Sequence, residues 1–303
     1  MLKFYSPGKL LISAEYFVLN GAKAFALPTR KGQHMSVTTN KESFISWKSY
    51  THENTLWMDV KLDIKNFSCI ENNSTAPGLI KKLQEILLSI RTINPNFCSS
   101  GSDVVTTLEF DRSWGLGSSS TLINNLSQWA DINPYEILSI TFGGSGYDIA
   151  VAKENSALLY TKNDYSPQID HLNFNPDFRN ELYFIHLNQK QDSQKEVAAY
   201  NKKKAPSKEQ INQISQISLA LTESKTLEDF NNLIALHEDL VGSVLNQIPI
   251  KRRLFSDFEG QIKSLGAWGG DFILASGASS PGYFKSKGYE VILSYDEMIF
   301  SKE

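Results

Sequence analysis

Cysteine is scarce in this chain. The two present in 303 residues, Cys69 and Cys98, form neither a Cys-x-x-Cys pair nor a metal-ligand spacing, which excludes a disulfide-stapled scaffold and reads as two buried free thiols in a reducing compartment. Long apolar runs are missing too. No stretch of about 18 apolar residues could span a bilayer, and no charged-then-apolar leader opens the chain, so the cytoplasm is the expected location and no membrane partner is expected. An excess of one charge is also lacking: the net charge of -3 gives no general field for nucleic acid, and any anion site must be local. The five histidines, His34, His52, His171, His186 and His237, show no metal spacing and read as structural. With hydrophobic residues at 41% and charged residues at 21%, the composition is that of a globular protein large enough for two domains.

What is present centres on Trp114 to Ser120, WGLGSSS. Val104 to Phe110 alternates and is rich in β-branched residues, as a strand would be, while Thr121 to Ala130 carries apolar residues at helical spacing. The stretch is therefore a turn that opens a helix. Gly115 and Gly117 permit close backbone approach, and Ser118, Ser119 and Ser120 place hydroxyls beside the free N–H groups of a helix N-terminus, a combination that cradles phosphate. It is not a Walker A loop, because the glycines are too close together and no Lys-Ser or Lys-Thr follows. A positive charge for the phosphates must come from elsewhere in the chain.

Along the chain, Leu2 to Tyr5 predicts a short strand ending in a turn at Ser6-Pro7-Gly8-Lys9. Leu10 to Leu19 is a buried apolar run interrupted by one acid, Glu15, and further strands follow to about Leu62. Ala76-Pro77 starts a helix to about Arg91, and a short helix begins near Asn133-Pro134 and ends at the second glycine-rich turn, Gly143 to Gly146. The polar stretch Asn163 to Arg179 is the expected boundary between an N-terminal domain, 1–170, and a C-terminal one, 171–303. Beyond it, strands at Glu181 to Leu187, Phe272 to Ala275 and Val291 to Tyr295 alternate with helices at Ile211 to Thr222, Leu227 to Val244 and Phe255 to Leu265. The third glycine-rich turn, Gly266 to Asp271, closes the last of these. The basic run Lys202 to Lys204 reads as solvated surface.

Taken together, Ser6-Pro7-Gly8-Lys9 with Glu15, GLGSSS, GSGYD and KxxGAWGGD resemble, in order and setting, the signature motifs of the GHMP kinases, the family of galactokinase, homoserine kinase, mevalonate kinase and phosphomevalonate kinase. The resemblance spans residues 6 to about 275. It implies an α+β fold of two domains, the N-terminal one ribosomal protein S5 domain 2-like and the C-terminal one a ferredoxin-like α/β sandwich, with ATP and Mg²⁺ as cofactors. The turn Trp114, Gly115, Leu116, Gly117, Ser118, Ser119, Ser120 resembles the loop that wraps the ATP phosphates, with Ser118 or Ser119 ligating magnesium. Asp148 resembles the catalytic aspartate that takes the acceptor's proton, and Lys9 the lysine that pairs with it and neutralises developing charge. The resemblance further implies acceptor contacts from Glu15, Ser145, Gly146, Gly266, Ala267, Gly269 and Gly270. Glu136 stands near the position of a second metal-binding acid but out of register. Ala14, Trp114 and Trp268 replace family glycines or small residues, and Asp111-Arg112-Ser113-Trp114 departs from the family pattern before the loop. An acid inside an apolar run is expensive unless paired, so Glu15 is expected to have a partner.

The expected activity is transfer of the γ-phosphoryl group of ATP to a small-molecule hydroxyl, first of all that of mevalonate, an isoprenoid precursor. The alternatives are phosphomevalonate kinase, with Lys195 and Lys202 to Lys204 as candidate cations for its extra phosphate, another GHMP small-molecule kinase, a decarboxylase of the superfamily, and a noncatalytic nucleotide-binding protein. The enzyme is expected as a monomer or homodimer.

Overall fold

The structure is a computed structural model and describes residues 1–73, 75–163, 166–189, 193–268 and 270–300. The chain groups into two compact units, each assembled from separate segments. Met1–Gly8, Lys31–Arg112 and Gly117–Lys153 form the first, and Lys9–Arg30, Ser113–Leu116 and Glu154–Glu303 the second.

The strands β1 (Leu2–Leu11), β2 (Ala24–Thr39), β3 (Phe44–Tyr50), β4 (Leu56–Asp63), β5 (Cys69–Asn72) and β6 (Ser102–Leu108) and the helices α1 (Pro77–Ile93), α2 (Ser118–Ala130), α3 (Pro134–Thr141) and α4 (Tyr147–Glu154) build the first unit, with β1 and β2 lending residues to both. The strand order is β5-β4-β3-β6-β2, with β1 paired to β2. Only β3 and β6 run parallel among the registered pairs here, which the long crossover through β4, β5 and α1 permits. Burial alternates along β3, so Ile45 and Trp47 enter the core. They meet Leu83, Leu87 and Ile90 of α1 and Ile123 and Leu126 of α2 in one apolar cluster.

The turn expected at Ser6 to Lys9 does not form, because β1 runs unbroken through Pro7 and Gly8. β1 lies off the main strand order, the kind of position in which a sheet tolerates proline, and burial of Ser6, Pro7 and Gly8 favours the extended chain over local turn preference. The cysteine expectation also needs correction. Both thiols are free, but only Cys98 is buried; Cys69 is exposed on β5, an edge strand whose four residues all face solvent.

In the second unit, β7 (Ala157–Thr161) pairs with Ala24–Ala26 of β2, and β8 (Gln168–Leu172) pairs with β7. β8 falls inside the polar stretch read as a boundary, since strand pairing supplies what its weak apolar pattern lacks. Then follow β9 (Leu182–His186), α5 (Ser193–Tyr200), α6 (Lys208–Glu223), α7 (Leu227–Leu245), α8 (Ile250–Leu254), β10 (Ile262–Ser264), β11 (Phe272–Ser276), α9 (Ser280–Ser286), β12 (Ile292–Ser294) and α10 (Tyr295–Met298). A four-stranded antiparallel sheet has the order β10-β11-β9-β12. Every residue of β11 is buried, so both faces of that strand are covered.

The helix expected over Phe255 to Leu265 is absent; α8 precedes it and β10 occupies its end. Phe255 and Phe258 mimic helical spacing, but each packs its ring 5.2 Å from Phe284, and Gly260, two residues beyond Phe258, takes a position that no side chain fits. The architecture is thus the expected mixture of helices and two sheets. Among the described residues, no helix is long and apolar enough to cross a membrane.

A Cβ on Gly260 would lie 1.8 Å from the Ser276 carbonyl oxygen. Gly260→Ala should therefore cost about 2–3 kcal/mol of stability by overpacking a backbone that cannot yield, read as a lower denaturant midpoint. An unchanged midpoint would show that the Gly260 segment does not abut β11.

Candidate functional site

The helix behind the glycine-serine turn starts without a side-chain cap. Asn133, Ser207 and Thr226 cap α3, α6 and α7 through their side chains, whereas α2 begins at Gly117, whose φ of 89° is left-handed and suits glycine. Its first-turn N–H groups carry the partial positive charge of a helix N-terminus with no side-chain acceptor on them. The three serines are not equivalent. Ser120 is buried and donates to the Gly117 carbonyl at 2.8 Å, which closes the turn. Ser118 is half-buried and Ser119 exposed, and among the described residues neither hydroxyl makes a hydrogen bond.

A buried polar network seats this helix. Asn124 Nδ2 donates to Ser6 Oγ and to the Ala152 carbonyl, both at 2.9 Å; Ser6 Oγ donates to Asn125 Oδ1 at 2.8 Å; Asn125 Nδ2 donates to the Gln33 carbonyl at 2.9 Å; and Thr121 Oγ1 donates to Gln33 Oε1 at 2.7 Å. Fully satisfied networks of this kind rigidify a core. The bond to Ala152 ties α2 to α4, whose first turn carries Asp148. Asp148 is half-buried and its Oδ1 accepts the Ile149 N–H at 3.1 Å. Before it, Gly143, Gly144 and Gly146 all have positive φ, with Ser145 half-buried between them. Glu136 is exposed in the first turn of α3. Among the described residues, no group of three or more His, Cys, Asp or Glu side chains could hold a metal ion.

In the second unit, Lys9 grips the front of the turn: its backbone N–H donates to the Leu116 carbonyl and its Nζ to the Gly115 carbonyl, both at 3.0 Å. Gly115 has φ 66°, and a Cβ there would lie 2.3 Å from Asp271 Oδ2. A Cβ on Gly266, at φ 63°, would lie 3.1 Å from the same oxygen. The buried Asp271 carboxylate is therefore packed against both glycines. The Trp114 ring stands edge-on to Phe272 at 5.5 Å and 6.3 Å from His186, so this side chain packs on the β9–β11 sheet. In the third turn, Tyr16 donates its hydroxyl to the Ala267 carbonyl at 3.0 Å, and Gly270 is buried. Gly269 lies outside the described residues.

Glu15 has the partner its burial demands. Lys263 Nζ lies 2.5 Å from Glu15 Oε1 and 3.1 Å from Glu238 Oε1, and also donates to the Ser264 carbonyl. Ser264 Oγ donates to Glu238 Oε2 at 2.7 Å, and Trp268 Nε1 to Glu238 Oε1 at 3.2 Å. The Ala14 N–H donates to His237 Nε2 at 2.8 Å, which assigns the ring proton to Nδ1 and keeps the imidazole neutral. Ala14, Tyr16 and Trp268, all at φ of 60–66°, meet this cluster: through that N–H, through the bond to Ala267, and through the indole N–H. Sequence reasoning read His237 as structural, took Lys263 only as the first residue of the third motif, and gave Glu238 no role. The available signal was a His-Glu pair on the apolar face of α7, beside Ile234 and Val241, where a charge has to be paired.

Two consequences follow for stability. Lys263→Met leaves two buried carboxylates without their cation and should cost about 3–5 kcal/mol by denaturant titration; a cost under about 1 kcal/mol would mean that the carboxylates are not buried together. The pKa of His237 is held below its ordinary 6.5 by burial first and by the Lys263 charge second, against the pull of Glu15 and Glu238. A depressed folded pKa contributes stability that is present above 6.5 and is lost as pH falls from there through the folded value. Between about pH 7.5 and about pH 5.5, His237→Asn should therefore lose less stability than the wild type; equal losses would place the titration elsewhere.

No family model matches the chain, and no curated protein matches it by sequence. Among solved structures, it is similar to Streptococcus pneumoniae phosphomevalonate kinase in complex with phosphomevalonate and AMPPNP, at 16% identity over 97% of this chain and 100% of that one, with a TM-score of 0.71. It is similar to Methanococcus jannaschii mevalonate kinase at 14% identity, over 97% and 98% of the two chains, with a TM-score of 0.68. Lactococcus lactis galactokinase complexed with galactose matches at 11% identity, over 99% and 93%, with a TM-score of 0.66. The chain therefore has the two-domain α+β fold of the GHMP kinases.

Proposed function

We propose that this protein is an ATP-dependent kinase that transfers the γ-phosphoryl group to the hydroxyl of a small molecule, with mevalonate as the acceptor. The observation that carries the reading lies within the first unit. An uncapped helix with two uncommitted serine hydroxyls at its start and an aspartate at the head of α4 are seated by one buried polar network. A nucleotide triphosphate is the ligand such a helix start favours. In the reaction, the acceptor hydroxyl gives its proton to the Asp148 carboxylate as its oxygen bonds the γ-phosphorus, and the bond from phosphorus to the bridging oxygen breaks to release ADP. The Ile149 N–H orients that carboxylate. Lys9 supplies positive charge toward the transferred group. Mg²⁺, when bound with the nucleotide, neutralises phosphate oxygens. Ser118 or Ser119 would offer it a hard oxygen ligand, and phosphates and water the rest, which suits a chain with no carboxylate cage among its described residues.

Ser145, Gly146 and the backbone of Gly266, Ala267 and Gly270 are proposed as acceptor contacts. Glu15, fully buried against Lys263, would act on the acceptor by holding Tyr16 and the third turn in place. Residues 1–170 are proposed as the ATP-binding domain and 171–303 as the second. The cytoplasm, a small-molecule substrate and a monomer or homodimer complete the reading. Phosphomevalonate is the second choice of acceptor. Lys202, Lys203 and Lys204 are exposed, and Lys203 donates to the Leu245 carbonyl at 2.6 Å, which ties it to the end of α7.

ADP release with Mg-ATP, compared for mevalonate, phosphomevalonate and homoserine, tests the assignment. Turnover is expected with mevalonate, falling about 10²–10⁴-fold in Asp148→Ala. Turnover with phosphomevalonate alone would move the acceptor one step. ATP binding without turnover of any acceptor would sink the kinase reading in favour of a noncatalytic nucleotide-binding protein.

A further inference from the structure

The glycine-serine turn carries no lysine of its own, yet a cation stands two residues before it. The Arg112 guanidinium carbon lies 3.9 Å from the centroid of the Trp57 ring. Trp57 owes its position to a β-bulge: Ser49 pairs with Met58 and Tyr50 with Leu56, so Trp57 is the extra residue in β4 and its side chain is re-aimed. The same registers put Tyr50 opposite Thr107 in the parallel β3–β6 pair. The bulge and the end of β6, from which the chain leads to Arg112, thus lie at one end of the sheet.

Two donor groups meet at this spot, with the Asp111 carboxylate as their neighbour. Trp57 Nε1 is buried without an acceptor, and among the described residues the Arg112 guanidinium, with five N–H donors, makes no hydrogen bond. Burial lowers the Arg112 pKa more than the neighbouring Asp111 charge raises it, which marks a guanidinium whose charge is under-compensated. Stacking on the ring fixes the plane of the guanidinium and leaves its N–H edge for a partner, an arrangement suited to bidentate contact with an oxyanion.

We propose that Arg112, held face-on against Trp57, binds phosphate oxygens of the nucleoside triphosphate and supplies the positive charge that the glycine-serine turn lacks. This rests on the kinase reading for the identity of the ligand, but the oxyanion contact can be tested without turnover. Calorimetric titration of the full chain would use ATP, inorganic tripolyphosphate and adenosine, against wild type, Arg112→Met and Arg112→Lys, with melting temperatures measured alongside.

Wild type should bind ATP and tripolyphosphate. Arg112→Met should weaken both about 10- to 100-fold, as expected for loss of charge-assisted hydrogen bonds, and leave adenosine unchanged. Arg112→Lys, which keeps the charge but not the fork, should fall between them and retain the melting temperature, so the result stands even if Arg112→Met folds poorly. Unchanged tripolyphosphate affinity with a lowered melting temperature would reduce the stack to packing and overturn the proposal. So would a wild type that ignores tripolyphosphate, or adenosine binding lost in step with ATP. Tripolyphosphate affinity lost in the variants of a protein that phosphorylates no acceptor would keep the oxyanion site and remove the kinase reading. Turnover by a variant with wild-type ATP affinity would do the reverse.

Discussion

The buried ammonium of Lys263 holds four segments of the second unit in register. It lies between the carboxylates of Glu15 and Glu238, with all three side chains at most 5% exposed. Ions so far from water are tolerated only when geometry and further hydrogen bonds offset desolvation. Here Ser264, Trp268 and the Ser264 carbonyl provide those bonds. Because the cluster gathers β10, α7, the Ala14–Tyr16 segment and the third turn, none of these can shift without exposing a charge to an apolar surround.

That constraint explains three of the ten non-glycine residues at positive φ among the described residues: Ala14, Tyr16 and Trp268. Such conformations cost of order 1–3 kcal/mol each and persist only where surrounding contacts over-determine them. Ala14 is held by its bond to His237, Tyr16 by its bond to Ala267, and Trp268 by its bond to Glu238. Trp268 has a φ of 60°, an angle that a glycine would take freely. The indole offsets the loss of backbone ease with a buried anchor, and its ring lies close over Gly242 of α7.

The first unit reaches the same end by neutral means. Amide and hydroxyl side chains from β1, β2 and α2 satisfy one another and reach into α4, so the start of α2 and the head of α4 are positioned without a buried charge. A charge next to an anion site would alter the field there; a neutral network leaves the helix terminus and nearby cations to set it.

Much of this could be read from the chain alone. The glycine-serine turn between a strand and a helix, the apolar faces of α1 and α2, and Asp148 after a glycine-rich turn are local patterns, and local patterns follow from backbone sterics and periodicity. Glu15 announced a hidden partner by lying in an apolar run. Its identity was out of reach, because Lys263 is 248 positions away and no local rule links them. The same holds for the strand through Pro7 and Gly8, the failed helix at Phe255 to Leu265, the spending of Ser120 on its own turn, and the stacking of Arg112 on a bulged Trp57. Sequence determined which segments had to be buried, where the chain could turn, and which residue types were at hand for phosphate chemistry. Tertiary structure alone decided which of them met, because strand register and the pairing of buried charges are set by contacts between segments distant along the chain.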